Sequence, residues 1–450
     1  MNRRRVLIIT SSFCPAMLPD MHRARMLCFD LPKVSWDVEV LTADASYKRA
    51  VSLDADAEQF FASDVPVHEV GPWLPRLFRA LRIGSICWRA WVPMYRAGNE
   101  LLGPGRFDLV YFSTTQFALM CLGPLWRARH GIPYVLDFQD PWYRPSQKYF
   151  TTEHVFKARA TNWLSKHLER RAVVGAGGLV SVSPRYLEEL NARYADRPGA
   201  WSEPSRQAVI PFAASRRDLD CVVQAVGDTE RVYNARYLTL VYVGAGGITR
   251  AAGFEALCQA ITLLRASRDP LVERVRIRLY GTSAGTSMSR GKLTEIARRH
   301  GLHELVEEES DQVSYFDSLR FAAAADGLLI LGVDDRSYTP SKLFNYLLFG
   351  KPVLACFQKG SPAEDFVLRH PETAAMIRFG GEQATSLDRS VEIVKDYLQQ
   401  VAEKRRVART AVLEDNLAPA MAQRHGELFA RVIGQHNVAL PSAEHEAPVR

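Results

Sequence analysis

Gly244-Ala245-Gly246-Gly247 stands between the apolar run Leu238–Val243 and the helical pattern Phe254–Leu264, so bare backbone N–H groups and a helix start converge there. That combination suits an anion, phosphate above all, and Arg250 adds a cation just beyond. The plain alternative is that the glycines only let strand turn into helix. Asp137 and Asp140 lie at the end of another apolar run, Tyr134–Phe138, on the edge where α/β sheets place ligands. Asp140 is the leading acid for contacting or deprotonating a substrate hydroxyl. It could equally do no more than shape the Asp140-Pro141 turn. His22 and Arg23 are weaker polar candidates for the same region.

Between Val70 and Asn99 there is no Asp or Glu, while Arg76, Arg79, Arg82, Arg89 and Arg96 alternate with Trp73, Trp88 and Trp91. If Leu77–Val92 is helical, Arg82 and Arg89 are seven residues apart and share a face flanked by Trp88. Gly84 weakens that helix and Pro93 is expected to end it. Docking on anionic lipid is one reading. A core helix with an ordinary basic surface is the other.

The elements that must position these residues alternate short apolar runs with helical patterns, the mark of parallel sheets covered by helices, hence an α/β protein. Strands are expected at Val6–Thr10, Asp37–Thr42, Leu109–Phe112, Tyr134–Phe138 and Gly178–Val182. From Arg193 to Tyr237 the pattern loosens around Pro198, Pro204 and Pro211, which places the domain junction there. The alternation then repeats with strands Leu238–Val243, Arg276–Tyr280, Gly327–Ile330 and Pro352–Cys356, and helices Phe254–Leu264, Lys292–His300 and Ser341–Phe349. Helical stretches at Ser386–Thr410 and Leu417–Ile433 follow. The expected division is a first domain over 1–215, a linker over 216–237, a second domain over 238–410, a C-terminal helix over 411–436 and a frayed tail over 437–450.

At 450 residues, two or three domains fit, and 47% hydrophobic with 24% charged residues excludes disordered and fibrous classes. The seven cysteines are odd in number and never form a C-x-x-C pair, so neither a disulfide framework nor a zinc site is indicated and a reducing, cytoplasmic setting fits. No stretch approaches the roughly 20 apolar residues of a spanning helix, so any membrane contact is expected to be peripheral. A nicotinamide site is disfavoured because no acid ends Leu279-Tyr280-Gly281-Thr282 in the second domain and because in the first, where Asp44 does follow the second strand, the turn Ser11 to Pro15 lacks glycine. Nothing around Asp137, Asp140 and His22 resembles a hydrolytic triad, and no nucleic-acid motif accompanies the basic segment.

Thr339-Pro-Ser-Lys342-Leu-Phe-Asn345-Tyr-Leu-Leu-Phe-Gly350-Lys-Pro352-Val-Leu resembles the donor-site signature of family 4 glycosyltransferases, enzymes of the GT-B fold. Phe107–Thr115, Gly131–Trp142, Leu179–Ser183 and the glycine loop support it in the family's order, over roughly residues 5 to 435. The resemblance implies two Rossmann-like domains facing across a cleft, with the first taking the acceptor, the second the nucleotide-sugar, and C-terminal helices returning toward the first. It implies transfer of a sugar, hexosyl in type and retaining in outcome, from a nucleotide-diphosphate sugar. The acceptor would be a glycan or a lipid-linked molecule in surface-polysaccharide or glycolipid assembly at the cytoplasmic membrane face. Neither metal nor cofactor is required, and Asp54-Ala-Asp56 and Asp218-Leu-Asp220 read as chance matches to a metal motif.

Carried over residue by residue, Gly246 and Gly247 match the loop that approaches the donor diphosphate, and Arg250 lies near the cation that neutralises it. Lys342 belongs to the element beside the nucleotide. Fixed cations there stabilise the charge gained by a departing diphosphate; the blander reading makes both solvated helix-end charges. Three departures stand out. Asn345 replaces the Glu that usually holds the ribose, Ser337 stands where many members carry another acid, and Gln139 falls at or near a catalytic-site His. The rival functions are therefore a catalytically degenerate partner protein and, with less support, a sugar-nucleotide epimerase.

Overall fold

The computed structural model describes residues 3–15, 19–44, 64–71, 73–74, 86–143, 155–226, 233–283, 290–334, 342–382, 384–407 and 410–436. Of these, the residues within 1–53, 61–210 and 421–450 pack as one unit and those within 211–420 as another.

The first unit runs β1 (Arg4–Ile9), α1 (Pro19–Asp30), β2 (Trp36–Ala43), β3 (Val67–Val70), α2 (Ile86–Leu101), β4 (Leu109–Ser113), α3 (Leu122–His130), β5 (Tyr134–Phe138), α4 (Val155–Val174), β6 (Gly178–Ser181), α5 (Pro184–Arg193) and β7 (Gln207–Val209). Its seven strands form one sheet in the order β3-β2-β1-β4-β5-β6-β7, with every neighbouring pair parallel. The inner strands are buried on both faces, which is why they read as unbroken apolar runs.

The second unit contains α6 (Arg216–Val226), β8 (Leu238–Val243), α7 (Ala251–Ala266), β9 (Val275–Tyr280), α8 (Lys292–Arg299), β10 (Val306–Glu309), α9 (Tyr315–Ala324), β11 (Gly327–Leu331), α10 (Leu343–Leu348), β12 (Val353–Gln358), α11 (Pro362–Arg369), β13 (Ala375–Phe379), α12 (Leu387–Ala402) and α13 (Ala411–Glu414). The sheet order is β10-β9-β8-β11-β12-β13, again wholly parallel. Counted from its own first strand, the second unit has the 3-2-1-4-5-6 order of a Rossmann-like sheet, and the first has the same order with β7 added beyond β6. The order reverses between β1 and β4 in one unit and between β8 and β11 in the other, and ligands gather beyond the strand ends at such points.

The last helix, α14 (Ala418–His436), belongs with the first unit from Met421 onward. Phe429 sits in that core, its ring 5.4 Å from Trp36 edge-on and 5.1 Å from Tyr111. Three expectations are corrected. Residues 216–226 are helix α6 of the second unit, not linker, because Ser215 caps it through the Asp218 N–H and Val222 is buried. Pro93 does not end a helix but lies inside α2, which buried Ala90, Met94, Gly98 and Leu101 hold in place. Residues 386–410 are not one helix, since α12 stops at Ala402. The tail expected at 437–450 and most of the Leu77–Val92 segment, Arg82 included, lie outside the described residues.

Candidate functional site

In the second unit the glycine loop caps β8, the strand at the switch point. Gly244 has φ of +142° and Gly247 of +71°, conformations that side-chain-bearing residues rarely adopt. Gly246 is needed for a different reason. A Cβ there would meet the Thr282 Cβ at 2.7 Å, and its N–H donates to the Thr282 carbonyl at 2.8 Å. Packing, not ligand approach, therefore explains Gly246, and anion recognition would fall to the amides that open the turn into α7.

Two cations gather on this loop. The Lys342 ammonium donates to the Val243 carbonyl at 2.6 Å, and a Cβ on Gly244 would lie only 2.9 Å from the Lys342 Nζ. The Arg250 Nε donates to the Tyr242 hydroxyl and the Ala245 carbonyl, both at 3.3 Å, while the Tyr242 hydroxyl itself donates to Ala245 at 2.5 Å. Loss of hydration, and then the nearby Arg250 guanidinium, bring the Lys342 ammonium down to about 8. No carboxylate among the described residues offsets it. An incoming anion would restore the favoured charge.

The signature around Lys342 divides into chemical and structural parts. The Tyr346 hydroxyl, one helical turn beyond Lys342, accepts the Val243 N–H at 3.1 Å. The pair thus holds both polar groups of the last residue of β8. Gly350 ends α10 with φ of +63°. Lys351 donates to the carbonyls of Ala323 and Ala325, placing a cation at the C-terminus of α9; its desolvation brings it, too, down to about 8. Asn345 lies half-buried on α10.

In the first unit, Asp137 and Arg23 are brought together, but inside. Arg23 and Asp137 are 1% and 0% exposed, with Nε to Oδ2 at 3.3 Å. Arg23 also donates to the Ile210 carbonyl at 2.7 Å. Gln139, itself buried, donates to Asp137 at 2.8 Å and to the Ser113 hydroxyl at 3.0 Å. Burial raises the Asp137 carboxyl against the opposing pull of Arg23. His425 of α14 completes the cluster. Its Nδ1–H donates to the Met421 carbonyl at 2.8 Å, leaving Nε2 to accept from Tyr111 at 3.0 Å and Arg23 at 3.4 Å. Burial and Arg23 hold it well below the usual imidazole range, hence neutral.

Asp140, three residues along, is exposed. Its loop is anchored twice just beyond it. Trp142 stacks on Phe117 with centroids 5.5 Å apart, and the Tyr143 N–H donates to the buried Glu169 at 3.0 Å. Glu169 also takes the Tyr194 hydroxyl at 2.8 Å and pairs with Arg193, whose guanidinium lies 4.9 Å over the Tyr143 ring. His22 is half-buried on α1. On α2, Trp88 is 40% exposed and Arg89 half-buried. Asp218 is buried and accepts the Tyr315 hydroxyl at 2.9 Å. Sequence reasoning missed Tyr346, Glu169 and His425, whose partners lie far off in the chain, and Tyr242, which reads as one more apolar residue of its strand.

Residues 22–211 match the family model described as a glycosyl transferase 4-like domain. No curated protein matches the chain significantly. HepE of Anabaena, solved with UDP and glucose, is 16% identical, with 97% of this chain and 100% of that chain covered at a TM-score of 0.53. WaaG, described as a glycosyltransferase involved in lipopolysaccharide biosynthesis, is 13% identical over 96% and 99% of the two chains at 0.53. A putative UDP-N-acetylglucosamine 2-epimerase of Listeria monocytogenes is 13% identical over 98% of each chain at 0.52. The fold is accordingly GT-B, built of two Rossmann-like domains.

Proposed function

We propose that this chain, a glycosyl transferase 4-like protein of GT-B fold, transfers a sugar from a nucleotide-diphosphate sugar to a glycan or lipid-linked acceptor. The observation that carries the reading is the pair of cations, Lys342 and Arg250, collected on a glycine loop at the switch point of the second sheet. A diphosphate leaving group gains charge as the glycosidic bond breaks, and preorganised cations and amides there lower that cost without a metal or a cofactor. Asp140 is the acid that an acceptor hydroxyl can reach, whereas Asp137 positions, being sealed in its pair with Arg23. A hexosyl donor, a retaining outcome and an acceptor of surface-polysaccharide or glycolipid type, used at the cytoplasmic membrane face, complete the proposal. It is supported by the signature around Lys342 and by what HepE binds and WaaG does.

Asn345 gives the rival of a degenerate partner protein its observation. Asn offers one acceptor oxygen and an NH₂ where a carboxylate offers only acceptors, so ribose binding should weaken without vanishing. The epimerase rival shares the fold, and the family match over residues 22–211 favours transfer. Screening parent and Asn345→Glu against a nucleotide-sugar panel, by thermal stabilisation and turnover, separates the readings. Turnover by the parent, with binding tighter by roughly 1 kcal/mol in the variant, is expected. Silence from both proteins would sink the proposal.

A further inference from the structure

Helix α4 spans 20 residues, and its face from Trp163 to Val174 is unlike an ordinary solvated one. Trp163 is 63% exposed, Leu164 39% and Val174 37%. On a helical projection these three share an arc with Lys166, His167, Arg170 and Arg171, all exposed. Leu168, Ala172 and Val173 turn the other way, into the core. The only acid anywhere in α4 is Glu169, which is buried and engaged by Arg193 and Tyr194. Arg170 approaches Asp196 only at 3.9 Å between exposed groups, a contact too solvated to cancel its charge.

Trp163 is also held in place. The His167 Nδ1–H donates to the Trp163 carbonyl at 2.8 Å, and the two rings lie 4.2 Å apart. The indole is thus braced from the helix side and offered to solvent on the other. A large aromatic and a leucine flanked by cations suit the boundary between an anionic headgroup layer and the acyl chains, where indole rings settle and basic residues meet phosphate. No helix among the described residues is long and apolar enough to cross a membrane, so a helix with these charges lies on such a surface.

We infer that α4 is a membrane-docking face, with Trp163 and Leu164 entering the headgroup boundary of an anionic bilayer and Lys166, Arg170 and Arg171 contacting lipid phosphates. Charge complementarity selects this occupant over a neutral bilayer, and the exposed apolar residues select it over a purely electrostatic polyanion. The inference is independent of the donor-site reading, because vesicle binding and nucleotide binding are measured separately.

The test is co-sedimentation with phosphatidylcholine vesicles with and without phosphatidylglycerol, at low and high salt. The parent should bind only the anionic vesicles and be released by salt, given screening over about 10 Å at 0.1 M. Lys166→Ala/Arg170→Ala should lower partitioning by about 25-fold, about fivefold per cation. Trp163→Ser/Leu164→Ser should lower it while leaving salt release intact. All substituted residues are exposed, and an unchanged melting curve confirms that each variant is folded. Absence of binding to anionic vesicles, or equal binding by parent and both variants, overturns the inference. So does binding to an oligonucleotide that outcompetes the vesicles and ignores Trp163→Ser/Leu164→Ser, which would make the face a nucleic-acid surface.

Discussion

Lys342 titrates in a range where assays are run, and this gives its role a sign. Its ammonium is held down to about 8 by desolvation and then by Arg250. A bound diphosphate favours the charged form and so raises that value in the complex. Affinity should therefore be level up to about pH 8 and fall as pH rises beyond it, by up to about tenfold per unit while one proton remains linked. Arg250 keeps its charge throughout, so binding weakens without disappearing. Calorimetric titration of a nucleoside diphosphate at several pH values checks this. Lys342→Met should bind more weakly with a flat profile, and a flat profile in the parent would remove Lys342 from the site. At this scale the sequence showed which residues carry charge but not where they point. Asp137 and Asp140 look alike in a string of letters, yet the strand end buries one against Arg23 and exposes the other. Tyr346 reads as one more buried aromatic, because its hydrogen bond reaches back 103 positions to Val243.

Between elements, the loop carrying Asp140 depends on a carboxylate that is itself buried. Glu169 of α4 gathers the Tyr143 N–H, the Tyr194 hydroxyl and Arg193, joining α4, α5 and the segment after β5. Glu169→Gln keeps an acceptor for Tyr143 but removes the buried carboxylate partner of Arg193, which then keeps only the more exposed Glu189 at 3.8 Å, a cost of about 2 kcal/mol. The expected outcome is a lower unfolding midpoint in urea and a reduced kcat, with the donor KM unchanged, since the donor cations are on another unit. A change in donor KM alone would contradict this positioning role. The strands that the sequence revealed and those it hid follow one rule. β1, β4, β5, β6, β8, β11 and β12 are buried on both faces or nearly so, and show as apolar runs. The four without a clear signal, β3, β7, β10 and β13, are the outermost strands of the two sheets. Short and part-solvated, with sequences such as Val-His-Glu-Val and Val-Glu-Glu-Glu, they resemble loops until a neighbouring strand gives them a partner.

Over the whole chain, the recurrence of one sheet order puts two switch points at the disposal of chemistry, and the sequence assigns different polar groups to each. The β1/β4 point carries a sealed Arg23–Asp137–Gln139 cluster with Asp140 exposed nearby; the β8/β11 point carries glycines and cations. The repeat was legible because strand–helix alternation restarts at Leu238. The division between units was less so, because α6 and the end of α14 are amphipathic helices whose allegiance only packing decides. The second unit is proposed to hold a diphosphate through Arg250 and Lys342. The most direct test is calorimetry with a nucleoside diphosphate and the matching nucleoside, on the parent and on Arg250→Ala. The parent should prefer the diphosphate, and the variant should lose about tenfold or more of that affinity with nucleoside binding unchanged. Equal diphosphate affinity in a folded variant, or equal losses for both ligands, would contradict it.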